Sequence, residues 1–274
     1  MTAQEQGTNH TPLVATRGVT VRYGSGRRGV VALEGIDLEV RRGEVLGLVG
    51  ESGSGKSTLG AVLGGLLAPT DGTVTYDGAP LLVRRGRRSR DLARRRQIVF
   101  QNPRSALNPL RTIGDSLTEG PRLTLGLSRD GARERAVDAL ADVGIEPDAL
   151  DRYPDAFSGG QRQRIAIARA LAMDPEFLIC DEVVSSLDLS VQAQVLNLLA
   201  DLGRRRQLTH VFISHDLTVV RHLSDRIAVL DGGRLVEVAG ARQVHENPAA
   251  DVTRRLWQAI PSAVVGEGGR DGRP

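Results

Sequence analysis

Lysine is nearly absent from this 274-residue chain: of its 36 lysine and arginine residues, only Lys56 is a lysine. Cysteine is as scarce. Cys180 stands alone, which excludes an internal disulfide and suits a reducing compartment. Aromatic residues make up 3% of the chain, leaving little stacking surface for single-stranded nucleic acid, so no nucleic-acid partner is expected. No apolar run approaches the roughly 18–20 residues that span a bilayer, which argues against a transmembrane helix. The polar stretch from Met1 to Thr11 lacks the apolar core of a signal peptide. These absences together predict cytoplasmic residence.

What is present is an ordinary apolar fraction of 40% and enough length for a substantial core, in one large domain or a domain with a subdomain. The net charge is +3 and the isoelectric point about 9.6. The positive charge is patchy, in Arg84-Arg85-Gly86-Arg87-Arg88, Arg94-Arg95-Arg96 and Arg204-Arg205-Arg206. With so few aromatics, these runs read as solvated arginine-rich loops.

The one lysine lies in Gly50-Glu51-Ser52-Gly53-Ser54-Gly55-Lys56-Ser57, which fits the G-x-x-x-x-G-K-[ST] phosphate-binding loop. A compact ammonium works there as a point charge between phosphate oxygens, and a planar guanidinium fork does not replace it. The flanks agree: Glu44–Val49 reads as a short buried strand and Thr58–Leu63 as the helix that follows. Further along, Phe177-Leu178-Ile179-Cys180 is an apolar strand that delivers Asp181 and Glu182. Beside a phosphate loop, Asp181 can hold a Mg²⁺ shell with the Ser57 hydroxyl, and Glu182 can polarise a water for attack on a γ-phosphate. Gln101 and His215 each follow an apolar strand, so both are expected at the sheet edge where open α/β sheets bind ligands. Ser158-Gly159-Gly160-Gln161 opens a helix with a capping serine and paired glycines, a second anion-binding element far from the first in sequence.

Two β-type runs, Val14–Tyr23 and Val30–Val40, precede the loop. Strands are also expected at Gly72–Asp77, Gln97–Phe100, His210–Ile213 and Arg226–Leu230, with a hairpin at Asp231-Gly232-Gly233. Between about 103 and 172 the texture is helical, an insertion between core strands. Strands alternating with helices imply an α/β fold with a mainly parallel sheet. Residues 1–12 and 261–274 read as frayed tails around one domain, 13–260.

These motifs, in this order, resemble the ATP-binding subunits of ABC transporters over residues 13 to 240. Gly50–Ser57 matches Walker A, Gln101 the Q-loop, Ser158–Gln161 the signature and Phe177–Asp181 Walker B. Glu182 matches the catalytic glutamate, Ser186-Leu187-Asp188 the D-loop and His215 the switch histidine. The resemblance implies a RecA-like P-loop core with an N-terminal antiparallel β subdomain and an inserted helical subdomain. It implies ATP and Mg²⁺ as cofactors, ATP held by Tyr23, Gly50, Ser52, Gly53, Gly55, Lys56, Ser57 and Thr58, and Mg²⁺ by Ser57, Gln101 and Asp181. Glu182, His215 and Gln101 would serve hydrolysis. Ser158, Gly159, Gly160 and Gln161 would complete the ATP site of a second ATPase subunit, identical or paralogous, in a head-to-tail dimer. Transmembrane permease subunits and, indirectly, an extracytoplasmic solute-binding protein are implied partners, with the chain at the cytoplasmic face of the membrane.

Within that family, Val99 to Pro109, Leu187 to Gln194 and Glu246 to Pro261 are similar to oligopeptide and dipeptide importers. Uptake of small peptides is therefore expected. Nickel, glutathione or another small solute, or a soluble ABC ATPase such as a phosphonate-enzyme accessory subunit, stay open. Two departures stand out: Ala249-Ala250-Asp251-Val252-Thr253 replaces the usual His-Pro-Tyr-Thr element, and Val183 occupies the place of a proline. Without C-terminal cysteines, an iron–sulfur cluster has no ligands.

Overall fold

A computed structural model describes residues 11–24, 29–81, 87–101, 106–185 and 187–259. Residues 1–10 and 260–274, Arg84 to Gly86, Asn102 to Ser105 and Ser186, on which some sequence expectations fall, lie outside the described residues.

Two sheets carry the fold. The first is antiparallel and four-stranded, in the order β2-β1-β4-β5, from β1 (Val14–Tyr23), β2 (Val30–Val40), β4 (Asp71–Tyr76) and β5 (Ala79–Pro80). The second is six-stranded, in the order β10-β9-β3-β8-β7-β6. It contains β3 (Val45–Val49), β6 (Arg96–Val99), β7 (Phe177–Asp181), β8 (Thr209–Ile213), β9 (Arg226–Asp231) and β10 (Arg234–Gly240). Strands β6, β7, β8, β3 and β9 are parallel, and β10 returns antiparallel through the turn after Asp231.

The residue pattern explains why both faces of this sheet are covered. Successive side chains of a strand point to opposite faces. Leu46, Leu48, Phe177, Ile179, Val211, Ile213, Ala228 and Leu230 bury into the layer shared with α1 (Lys56–Leu63) and the antiparallel sheet. The alternate residues, among them Val49, Leu178, Cys180, Phe212, Ile227 and Val229, bury into the opposite layer. That layer is filled from α5 (Gly159–Leu171), α6 (Leu189–Arg206) and α7 (Leu217–Leu223). Strands buried on both sides read as continuous apolar runs, as parallel strands do. Each such Leu, Ile or Phe contributes about 1.5–3 kcal/mol on burial.

The helical insertion consists of α3 (Ile113–Leu125), α4 (Arg129–Asp142), short 3-10 turns at Pro147–Asp151 and Pro154–Ala156, and α5. Its helices start where short polar side chains can accept orphan N–H groups: Thr112 caps α3, Ser128 caps α4 and Ser158 caps α5.

One expectation is corrected. The arginine-rich stretch before β6 is not a loop throughout: Arg87–Arg95 forms a helix, α2, because Arg, Leu and Ala are good helix formers and Leu92 gives it a buried anchor. Nor are these arginines simply solvated. Asp174 lies 3.9, 3.6 and 3.7 Å from guanidinium nitrogens of Arg94, Arg135 and Arg206. Glu176 accepts from Arg95 at 2.6 and 2.9 Å. Arg94, Arg95 and Arg206 are thus tied to the edge where β7 and β8 begin.

At the C-terminal end, β10 leads to α8 (Ala241–Glu246) and α9 (Asp251–Gln258). The departing element at Ala249 and Ala250 still has an anchor. Glu237 of β10 accepts from the N–H groups of Ala249 and Ala250 at 2.9 and 3.1 Å. Burial would raise the Glu237 pKa, but these two donors, with the Thr253 side chain and the Arg254 charge, together hold the carboxylate below its usual range. Trp257 packs edge-on against His245, with centroids 4.6 Å apart. No helix among the described residues is long and apolar enough to cross a membrane.

Candidate active site

Parallel pairing sends the C-terminal ends of β3, β6, β7 and β8 to one edge, and the predicted site residues lie there. The loop after β3 is strained and braced. Gly55 has a φ of +104°, and a Cβ on it would come within 2.6 Å of the Ala32 carbonyl oxygen of β2. A Cβ on Gly50 would come within 2.1 Å of the Leu230 carbonyl oxygen of β9. Only glycine fits either place. Gly233 donates its N–H to Ser54 O at 3.0 Å, and Ser54 donates to Glu51 O at 3.1 Å. Ser52 and Gly53 form the exposed turn of the loop, and Ser57 and Thr58 stand in the first turn of α1.

Lys56 is 6% exposed. Its Nζ donates to Gly50 O and Glu51 O, each at 2.8 Å, so the side chain runs back across its own loop. Burial lowers its pKa, while Glu182 and Asp181 pull it back up. The first turn of α1 carries no acidic side chain. The loop therefore offers a buried cation and undirected N–H groups at a helix N-terminus, a fit for phosphate.

The carboxylates stand opposite. Ser57 Oγ donates to Asp181 Oδ1 at 3.2 Å. Burial raises the Asp181 pKa, the Ser57 hydrogen bond opposes that, and the adjacent Glu182 charge adds to it. Glu182 has a φ of +50°, left-handed for a residue with a side chain, which costs about 1–2 kcal/mol. The strain is held by neighbours: Glu182 N donates to Ile213 O at 3.0 Å and Ser185 N to Glu182 O at 3.1 Å. His215 Nδ1 lies 3.6 Å from Glu182 Oε1. Gln101 follows β6, and its Nε2 donates to Ser185 Oγ at 3.0 Å. Ser185 Oγ in turn donates to Glu182 O at 2.9 Å. Sequence reading missed Ser185, although a hydroxyl three residues after Glu182 is a turn signal.

Lys56, Ser57, Asp181, Glu182, His215 and Gln101 thus gather at one edge. Tyr23 is the exposed last residue of β1 and pairs with Val30 of β2, the strand whose Ala32 abuts Gly55. Ser158 to Gln161 are not brought to this edge. Among the described residues they make no hydrogen bond to the phosphate loop. Ser158 and Gln161 instead close a reciprocal capping box: Gln161 N donates to Ser158 Oγ at 3.3 Å and Ser158 N to Gln161 Oε1 at 3.0 Å.

Comparison with known proteins decides the family. The sequence profile described as ABC transporter matches residues 33–185, more than half of the chain. The chain belongs to the ABC transporter family. It is 47% identical over 234 residues to the dipeptide transport ATP-binding protein DppF of Escherichia coli, covering 85% of this chain and 70% of that protein. Over 237 residues it is 45% identical to the oligopeptide transport ATP-binding protein OppF of Bacillus subtilis, covering 85% and 78%. Its fold is similar to an ATP-binding cassette solved as a dimer in a post-hydrolysis state with ADP and Pi. There the TM-score is 0.74 and the identity 30%, over 84% of this chain and 99% of that one.

Proposed function

We propose that this chain is the ATP-hydrolysing subunit of an ABC importer that powers uptake of small peptides, and that it works at the cytoplasmic face of the membrane. The observation that supports this most is the gathering of Lys56, Ser57, Asp181, Glu182 and His215 at one sheet edge. Relatives named for dipeptide and oligopeptide transport supply the substrate class.

In this reading the loop from Gly50 to Ser57 holds the ATP phosphates, with Lys56 leaving its own carbonyls for β- and γ-phosphate oxygens. Thr58 and Ser52 add polar contacts, and Tyr23 packs on the adenine. The Ser57 hydroxyl and the Asp181 carboxylate, 3.2 Å apart, are hard oxygen donors suited to Mg²⁺, with Gln101 in reach of the same shell. Bound there, Mg²⁺ would supply charge neutralisation for the phosphoryl oxygens. Glu182 orients the attacking water and takes its proton, and His215 sets the Glu182 carboxylate and contacts the γ-phosphate. Ser158, Gly159, Gly160 and Gln161 of a second ATPase subunit close the other side of the nucleotide. Membrane subunits would engage the groove of about 580 Å³ between Leu107, Asn108, Arg111, Leu117, Arg169 and Met173, beside the fully presented Leu110.

The test has two parts. The tagged chain is expected to co-purify with integral membrane subunits, and vesicles carrying that complex to accumulate a labelled dipeptide when ATP is supplied. Recovery of soluble partners alone, or accumulation of another solute and no peptide, would contradict it. Glu182→Gln is expected to bind ATP normally and hydrolyse it at least ~100-fold more slowly.

A further inference from the structure

We propose that Ser185 is a positioning residue of the hydrolytic site, whose hydroxyl fixes both the Glu182 backbone and the orientation of the Gln101 amide. The inference rests on the reading of Glu182 as the group that orients water, and adds a residue that the motif pattern does not single out.

Three hydrogen bonds carry it. Ser185 Oγ donates to Glu182 O at 2.9 Å, Ser185 N donates to the same oxygen at 3.1 Å, and Gln101 Nε2 lies 3.0 Å from Ser185 Oγ. A serine hydroxyl has one proton and two lone pairs. The Glu182 carbonyl can only accept, so the one Ser185 proton is committed to it. Toward Gln101 the hydroxyl can then only accept. Gln101 must therefore present its NH₂ to Ser185, and its carbonyl oxygen, the end that can accept from water or bind a cation, is left free. A carboxamide without such a partner could turn over and present the wrong end.

The second consequence concerns Glu182. Its left-handed backbone, φ +50°, is unfavourable for a side chain bearing a Cβ and persists only if its surroundings enforce it. The doubly accepted carbonyl is one such constraint, and the Glu182 N–H bond to Ile213 O at 3.0 Å is the other. Gln101 follows β6 and Glu182 follows β7, adjacent parallel strands. Among the described residues, Ser185 is thus the hydroxyl that joins the segment after β6 to the backbone of the acid after β7. A shift of Gln101 would be felt at the Glu182 carbonyl, on the same residue as the carboxylate that sets the water.

The test uses the full chain at concentrations where two cassettes pair. Ser185→Ala is expected to lower kcat roughly tenfold, the scale of one lost positioning hydrogen bond. KM and equilibrium affinity for ATP should stay within about twofold, since Lys56 and Ser57 are untouched. Ser185→Thr keeps the hydroxyl and should restore kcat. The decisive arm is the double-mutant cycle: if the hydroxyl acts through the amide, adding Ser185→Ala to Gln101→Ala should cost less than about twofold more. A wild-type kcat in Ser185→Ala, a Ser185→Thr variant as slow as Ser185→Ala, or multiplicative losses in the double variant would each overturn the proposal. Normal turnover in Glu182→Gln would instead remove the reading beneath it, which separates the two failures.

Discussion

The two Gly/Ser-rich loops of this molecule both sit at helix N-termini, yet they are built in opposite ways. The loop from Gly50 to Ser57 is strained: it needs positive φ at Gly50, Gly53 and Gly55, presses its backbone against β2 and β9, and folds a nearly buried lysine across itself. Ser158 to Gln161 is relaxed. Ser158 sits at φ −63°, the capping box satisfies its own donors, and neither glycine takes a positive φ. Gly160 is small for a different reason: a Cβ there would come within 2.3 Å of Val191 Cγ1 on α6. Gly159 by contrast has open space, with Leu187 Cδ2 at 3.9 Å from a built Cβ. The first loop gathers its buried cation and helix N-terminus within one chain. The second is an uncharged face which, in the proposed reading, meets the nucleotide of another chain.

Lysine replacement probes this contrast with the largest effect. Lys56→Ala should weaken ATP binding by at least ~100-fold in a nucleotide titration, and Lys56→Arg nearly as much, because a guanidinium cannot take the buried place of a point charge. Arginine that binds ATP as lysine does would remove the contrast. On the other loop, Ser158→Arg should leave ATP affinity of the single chain unchanged and cut hydrolysis by ~100-fold or more, since it blocks the face and not the pocket. Loss of affinity in the isolated variant would show that the two loops meet within one chain.

Smaller effects separate strain from packing. Gly160→Ala should destabilise by about 1–3 kcal/mol through overpacking on Val191, and Val191→Ala in that background should recover most of it by thermal melting. Gly53→Ala meets no atom within 4 Å and should cost about 1–2 kcal/mol from its left-handed backbone alone, with no rescue from any neighbour. The smallest effect is a pH dependence. Asp181 titrates above its unfolded value of 3.8, first because it is buried. Its contribution to stability is full below that value and is lost as pH rises through the folded one. Asp181→Asn should therefore raise the melting temperature of the nucleotide-free protein at neutral pH, and the gain should vanish as the pH falls toward 3.8.

Phe177–Cys180 was legible because it is apolar on both faces, and it needed only Asp181 added. Val14–Tyr23 and Val30–Val40, in the half-exposed antiparallel sheet, were read with their full bounds from their β-type residues. Helix α2 was hidden, since Arg87–Arg95 offers no apolar stripe and its buried anchor is the single leucine Leu92. In the site, Lys56 and Ser57 were expected from the phosphate-loop pattern, and Asp181, Glu182 and His215 from their places at or just after the ends of apolar strands, and the structure gathers them at one edge. Ser185 was not expected. Its role depends on the left-handed turn at Glu182 and on the neighbouring strand that carries Gln101, and a sequence shows neither. The ion pairs of Asp174 were hidden for the same reason: Arg94, Arg135 and Arg206 come from separate helices.

The claim that the phosphate loop is half a site is tested most directly by light scattering of Glu182→Gln mixed with ATP. The account predicts that ATP doubles its mass from the single-chain 29.4 kDa, and that Ser158→Arg in the same background abolishes the doubling while ATP still binds. A chain that stays monomeric with ATP bound, or one that doubles equally well with Ser158→Arg, would contradict it.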